Sequence, residues 1–275
     1  MTTQSGKARA FRALHERPGL FVLPNPWDIG SARILAGLGF EALATTSAGF
    51  AASMGLADYC VTREMKLTHV RSLAEATPLP LSADLENGFG HAPEDCAETI
   101  RLGAGAGLVG GSIEDYTGDS DRPQYSISEA ADRVRAAAEA ARSLSHDFLL
   151  TARAENYLRG NPDLGDTIAR LQAYQEAGAD VLYAPFLPTL DDIRSVIASV
   201  DRPVNVLMGP PAGFVPMAEL EAIGVKRVSM GSALSNTAYG ALVAASRELL
   251  GPGTLGFLKG AASGADLAAL MDKGR

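Results

Sequence analysis

The sequence predicts a closed (β/α)8 barrel of the TIM type, an α/β fold, on three observations. A short apolar stretch followed by an amphipathic, often Ala-rich segment recurs eight times along the chain. The amphipathic segments tend to end in a Gly-containing turn just before the next apolar stretch, as at Leu38-Gly39, Ala104-Gly105, Ala177-Gly178 and Ile223-Gly224. The chain has 275 residues, and α/β barrels of about 250 residues routinely form one domain. A doubly wound open sheet is the main competitor. It calls for a glycine-rich phosphate fingerprint after the first strand, where Pro24-Asn25-Pro26-Trp27 stands instead.

In chain order, residues 2–16 read as an N-terminal helix stopped by the Pro18-Gly19 turn. Residues 20–24 form the first strand. Residues 28–38 form its helix, with Ile29, Ala32, Ile34 and Leu35 at helical spacing. The second strand is 42–46, and a long connection leads to its helix at 63–75. The remaining pairs are 79–84 with 93–104, 107–114 with 128–143, 148–153 with 165–177, 181–184 with 190–200, 203–207 with 216–223, and 227–230 with 233–250. The whole chain, 1–275, reads as one barrel domain. Residues 251–275 form a C-terminal helical extension, with helical segments near 255–259 and 266–271. Surplus helices outside a closed barrel often pack on a neighbouring subunit, so a homo-oligomer is expected.

Composition narrows the function. Apolar residues make up 47% of the chain but aromatic ones only 6%, so Ala, Leu, Val and Gly must fill the core. The formal net charge is -8 and no run of Lys or Arg is present. Nucleic acid is not expected as a partner, because phosphate binding needs a clustered basic surface. No apolar run approaches the ~18 residues of a membrane span, and the polar start lacks the core of a signal peptide. Cys60 and Cys96 form no CxxC pair and no metal-ligand spacing with the four histidines, which fits a reduced, cytoplasmic setting.

The position of the charges points to chemistry. Barrel enzymes act at the C-terminal ends of their strands, and those ends are polar here. The second strand ends in Thr45-Thr46-Ser47, the third in Asp84-Leu85-Glu86, the fourth in Glu114-Asp115 and the fifth in Arg153-Ala154-Glu155. Residues two apart in a strand share a face, so Asp84 and Glu86 point the same way if strand geometry persists. With Glu114 on the next strand, three carboxylates converge on one mouth. They would repel one another without a cation, and their hard oxygens select Mg²⁺ or Mn²⁺ over Zn²⁺. Magnesium keeps several waters, so Asp84 alone can be its direct ligand. Arg153 offers a fork that grips a carboxylate in two places.

Other features allow two readings. The Gly88-Phe89-Gly90 turn either lets the backbone approach a ligand or makes a tight exit from the strand. Trp27 either lines the mouth or packs. His91 is a loop histidine near the mouth. His15, His69 and His146 receive no role, and the cysteines read as small fillers.

Asp84-Leu85-Glu86-Asn87-Gly88-Phe89-Gly90, together with Ile113-Glu114-Asp115 and Thr151-Ala152-Arg153, resembles the isocitrate lyase/phosphoenolpyruvate mutase superfamily over about residues 24–249. The resemblance implies that Asp84 is the direct Mg²⁺ ligand, with Glu86 and Glu114 acting through bound waters. It implies a further acidic residue near the metal at Asp58, a carboxylate-holding turn at Thr46-Ser47-Ala48, and a substrate-binding Arg153. Asp58, Arg153 and Glu114 become the catalytic candidates, and Thr46, Ser47, Ala48, Asp84 and Arg153 the substrate contacts. It further implies a dimer or tetramer whose partners exchange the last barrel helix.

The shared chemistry of that superfamily is bond cleavage next to an enolate, with the metal and backbone donors stabilising the oxyanion. One departure matters. The tricarboxylate lyases carry Lys-Lys-Cys-Gly-His on the loop after the fourth strand, and the phosphonomutases a Lys and an Asn. Here the loop reads Tyr116-Thr117-Gly118-Asp119-Ser120-Asp121-Arg122-Pro123-Gln124. Tyr116, Asp119 and Asp121 are substitute proton donors, or members of a solvated gating loop. The expected function is a Mg²⁺-dependent carbon–carbon lyase or decarboxylase of a small 2-oxo or 2-hydroxy carboxylate. The alternatives are P–C bond chemistry and a non-catalytic 2-oxo acid binder.

Overall fold

The computed structural model describes residues 3–207, 213 and 215–275. Eight parallel strands form the barrel: β1 (Phe21–Leu23), β2 (Leu43–Ala44), β3 (Leu81–Asp84), β4 (Gly110–Glu114), β5 (Leu149–Arg153), β6 (Val181–Tyr183), β7 (Val204–Leu207) and β8 (Arg227–Ser229). Their hydrogen-bonded order is β1-β8-β7-β6-β5-β4-β3-β2. The seam between β2 and β1 is closed by the Ala44 N–H, which donates to the Pro24 carbonyl at 3.0 Å. Asn25 staples the same corner. Its amide donates to the Thr45 carbonyl at 3.2 Å and accepts from the Met230 N–H at 2.8 Å.

The helices are α1 (Gln4–Glu16), α2 (Ile29–Leu38), α3 (Ser47–Ser53), α4 (Arg63–Ala76), α5 (Pro93–Gly105), α6 (Ile127–Arg142), α7 (Leu164–Ala177), α8 (Leu190–Ala198), α9 (Met217–Ala222), α10 (Ala233–Leu250) and α11 (Gly264–Lys273), with a 3-10 turn at Gly256–Gly260. Most begin where a small polar residue caps them. Asp28 accepts from the Ser31 N–H at 2.7 Å, and Ser126 and Glu129 form a reciprocal capping box. Among the described residues no helix is long and apolar enough to cross a membrane.

Two departures from the sequence expectation have clear causes. The fourth strand begins at Gly110 rather than 107, because Gly107 adopts φ 106° and belongs to the turn that ends α5. A Cβ at that position would also come within 2.7 Å of the Ala74 side chain. The expected turn at Thr46-Ser47-Ala48 is instead the start of α3. Thr46 caps it by accepting from the Gly49 N–H at 3.2 Å.

The packing leaves one end of the barrel for chemistry. Phe11 and Leu14 of α1 pack with Phe21, Leu23, Val109, Leu149 and Val181, plugging the N-terminal end. Near that end lies Arg227, which donates to Asn205 Oδ1 at 2.8 Å and Thr151 Oγ1 at 3.0 Å. The opposite end, where the strands finish in polar residues, carries the loops. The tail folds back through α11 onto α2, where a Cβ on Gly37 would meet the Leu270 carbonyl at 2.1 Å. By contrast α10 buries only Ser235 and exposes Leu242, Val243, Leu249 and Leu250.

Candidate active site

β3 delivers Asp84 to the mouth, and the chain then leaves strand geometry at once. Glu86 adopts φ 51° and Phe89 φ 60°. The cause is local: Asp84 Oδ1 accepts from the Glu86 N–H at 3.1 Å, and the Leu85 carbonyl accepts from the Gly88 N–H at 2.9 Å. Asp84 and Glu86 therefore do not share a strand face, as the alternation had suggested; a turn positions Glu86. The Gly88 turn is a packed exit from the strand, since a Cβ there would stand 2.8 Å from Cys96 Sγ.

Asp84 is held from several sides. Ser47 Oγ donates to its Oδ2 at 3.0 Å, its own N–H donates to Thr45 Oγ1 at 3.2 Å, and Arg153 Nη1 lies 3.6 Å from Oδ2. Burial opposes its ionisation. The charges of Arg153 and Lys66, with hydrogen bonds from Glu86 and Ser47, outweigh that and hold its pKa below the usual carboxylate value.

The register of β4 and β5 sets Glu114 beside Arg153. Arg153 Nη1 reaches Glu114 Oε2 at 3.3 Å, and its Nε donates to Glu155. Glu114 also accepts from Tyr59 Oη at 2.5 Å. Burial, and then the neighbouring Glu155 charge, push the Glu114 carboxyl well above its ordinary pKa.

Glu86 is buried and its Oε1 has no hydrogen-bond partner among the described residues. Desolvation pushes it up to about 7, opposed by Lys66 and aided by Asp84 and Asp58. Lys66, fully buried on α4, likewise leaves its Nζ without a partner, 5.7 Å from the centre of the Phe50 ring. Asp58 lines the cavity from the loop after α3. Desolvation and the Asp84 charge raise its pKa.

Thr46, Ser47, Ala48, Asp58, Asp84 and Arg153 all line one cavity of about 470 Å³, with Tyr183 and Asn236. Glu86 and Glu114 stand behind this surface. Tyr116 lies with its ring 3.5 Å from the Arg159 guanidinium, and Asp119 and Asp121 sit on an exposed turn. None of these three lines the cavity. Asp119 instead borders a separate hollow with His91 and Arg122. Trp27 does not line the cavity, and its carbonyl accepts from His69.

The donor set fits a hard divalent cation. It consists of carboxylates and hydroxyls, and Glu86 Oε1 is a buried acceptor lacking a donor. Among the described residues no three acidic side chains come close enough to ligate one ion together, contrary to the expected convergence.

Several members were missed from sequence. Lys66 carried a signal: with His69, Val70 and Leu73 it falls on the buried face of α4, where a lysine needs a reason. Tyr59 adjoins Asp58 in the chain. Arg159 meets Tyr59, 100 residues away, only through folding, whereas Glu155 stands two residues from Arg153 and was within reach of a strand-end reading.

Fold and site define a (β/α)8 barrel with ionisable residues gathered at the C-terminal ends of its strands. The phosphoenolpyruvate phosphomutase family model matches residues 11–250. The chain is 31% identical to 2-methylisocitrate lyase of Escherichia coli K12 over 204 residues, covering 71% of this chain and 68% of that one. A Burkholderia cenocepacia J2315 structure, named only at the level of a lyase/mutase, superposes with a TM-score of 0.95 at 55% identity, covering 96% of each chain. Oxaloacetate acetylhydrolase bound to its product oxalate superposes with a TM-score of 0.88 at 26% identity, covering 98% of this chain and 95% of that one. The chain belongs to the phosphoenolpyruvate mutase/isocitrate lyase superfamily, which contains both lyases and mutases.

Proposed function

We propose that this protein is a Mg²⁺-dependent carbon–carbon lyase acting on a small 2-oxo or 2-hydroxy carboxylate. The observation that carries this is Asp84: an ionised carboxylate at the cavity floor, gripped by Ser47 and Arg153, with the unpartnered Glu86 two residues on. Asp84 would hold the ion directly, and Glu86 and Glu114 through water. Bound there, Mg²⁺ supplies positive charge to the oxygen on C2 as negative charge develops during bond cleavage. Mn²⁺ suits the same donors.

The chain's own groups do the rest. The Ser47 and Ala48 N–H groups belong to the first turn of α3 and have no intrahelical acceptor, so they are free to receive the substrate carboxylate. Arg153 is 13% exposed at the same cavity and adds a charged donor. Asp58 lines the same cavity, and its raised pKa suits it to carry a proton to or from the substrate. Glu114 steadies Arg153 and Tyr59 from behind. The exposed apolar side chains of α10 support its exchange between partners of a dimer or tetramer.

Following reaction mixtures of 2-oxo and 2-hydroxy acids and phosphonopyruvate by NMR, with Mg²⁺ or with a chelator, tests this reading. Mg²⁺-dependent C–C cleavage that falls by roughly 100-fold or more in Asp84→Ala is expected. Turnover of phosphonopyruvate alone would assign P–C chemistry instead. Tight binding with no turnover would assign a non-catalytic binder.

A further inference from the structure

The turn that carries Glu86 is tucked into the protein. No residue from Leu85 to Gly90 is exposed. Glu86 at φ 51° and Phe89 at φ 60° both lie in the left-handed region that residues with a side chain rarely adopt. Such backbone persists only where its surroundings over-determine it. A buried turn must also find donors for its carbonyls, because water cannot reach them.

One side chain supplies most of those donors. Arg133 of α6 is 2% exposed. Its Nη1 donates to the His91 carbonyl and, at 3.3 Å, to the Ala92 carbonyl. Its Nη2 donates to the Asn87 carbonyl and, at 2.8 Å, to the Gly90 carbonyl. Only its Nε is left without a partner among the described residues. The Tyr125 ring lies 4.3 Å from the guanidinium carbon and faces its charge.

Other groups complete the set. Thr99 Oγ1 of α5 donates to the Gly88 carbonyl at 2.8 Å, and the Glu114 N–H donates to the Glu86 carbonyl at 3.0 Å. A planar fork with fixed donor directions can hold several carbonyls of one short segment, whereas a lysine is a point charge with three donors. Arg133 does not line the cavity above Asp84, so it can act on the site only through the turn.

We infer that Arg133 is a positioning residue. It fastens the 86–92 turn in its left-handed form and so keeps the Glu86 carboxyl, with its buried and unpartnered Oε1, in place for the ion that Asp84 would hold. This role rests on the Mg²⁺ reading of the site given above and adds to it a residue outside the cavity. An arginine that only stabilised the fold would leave metal affinity untouched. A positioning arginine acts on the metal through Glu86, so its loss should matter only while Glu86 is there to be positioned.

Isothermal titration calorimetry with Mg²⁺ tests this on the full chain, comparing the unmodified protein with Arg133→Met, Glu86→Gln and the double variant. Arg133→Met should weaken Mg²⁺ binding by roughly 10–100-fold, the usual effect of removing a group that orients a ligand. Glu86→Gln should also weaken it. The two losses should not multiply, and the double variant should bind about as the weaker single variant does. In the metal-free protein, hydrogen exchange should show the amides of residues 86–92 opening faster in Arg133→Met. Should that variant not fold, Arg133→Lys keeps the charge and three donors; it should show a smaller loss that again does not multiply with Glu86→Gln. Unweakened Mg²⁺ binding in the Arg133 variant, or losses that multiply in the double variant, overturns the positioning role. No Mg²⁺ binding by the unmodified chain overturns the metal reading itself, and this role with it.

Discussion

Tyr59 Oη donates to Glu114 Oε1 at 2.5 Å, tying the loop that follows α3 to the end of β4. Arg159, from the loop after β5, donates to the same hydroxyl and lies 3.5 Å over the ring of Tyr116, from the loop after β4. Three loops around the mouth thus meet on one aromatic and cationic stack. Burial and the Glu114 charge raise the Tyr59 pKa far above its ordinary value, so the phenol stays a donor. Tyr59→Phe should leave a buried carboxyl group short of a donor and destabilise the fold by about 1–3 kcal/mol. Thermal unfolding checks this. An unchanged Tm would show that the contact contributes nothing.

The pH dependence of metal binding follows from Glu86. Its pKa is pushed up to about 7, so without metal it is protonated below neutrality. A raised carboxyl pKa stabilises the fold at low pH, and that contribution is lost as pH rises from about 4.5 through about 7, by an upper estimate of ~3 kcal/mol. A divalent cation favours the ionised form. Mg²⁺ binding should therefore release protons near pH 7, and the stabilisation it provides should grow between pH 6 and 8. Calorimetry in buffers of different ionisation enthalpy measures the release. Lys66, whose charge favours ionised Glu86, sets the midpoint, so Lys66→Met should move it to higher pH.

Asp115 organises the support behind the site. Its carboxylate accepts from Arg170 Nη1 at 3.0 Å, Tyr174 Oη at 2.6 Å and the Glu155 N–H at 2.8 Å, all buried. Asp115→Ala would strand the Arg170 charge, which Asp166 only partly meets at 2.6 Å. Breaking a buried pair from one side costs about 3–5 kcal/mol. Urea denaturation should show a loss of that size, whereas a loss below about 1 kcal/mol would mark the pair as dispensable.

The exposed face of α10 predicts an assembly. Leu242 is 61% and Leu250 89% exposed, more than a lone helix of this length tolerates without cover. Light scattering should find a dimer or tetramer, and the double variant Leu242→Lys, Leu250→Lys should shift it toward monomer. A monomeric native chain would contradict the exchange of this helix.

How much of this was legible in the sequence depended on the range of the interactions. The eight strand–helix units and the strand-end positions of Asp84, Glu114 and Arg153 could be read because periodicity and strand termini are local properties. The strand limits moved where a glycine such as Gly107 takes a positive φ, which residue type permits but does not dictate. The seven-residue helix α3 escaped notice because Ser47–Ser53 is short and made of small residues, with no long apolar stripe. Glu86 was expected on the Asp84 face by alternation, and a turn closed by Asp84 itself overrode the pleat. The Arg159–Tyr59 contact joins residues 100 apart and left no trace in any local pattern.

The central claim is that Asp84 anchors a divalent cation. A crystal of this protein soaked in high Mg²⁺ would test it most directly. We predict one octahedral ion at about 2.1 Å from a carboxylate oxygen of Asp84, with ordered waters reaching Glu86 and Glu114. A well-ordered map with Asp84 still bonded to Ser47 and Arg153 and no cation beside it would contradict the account.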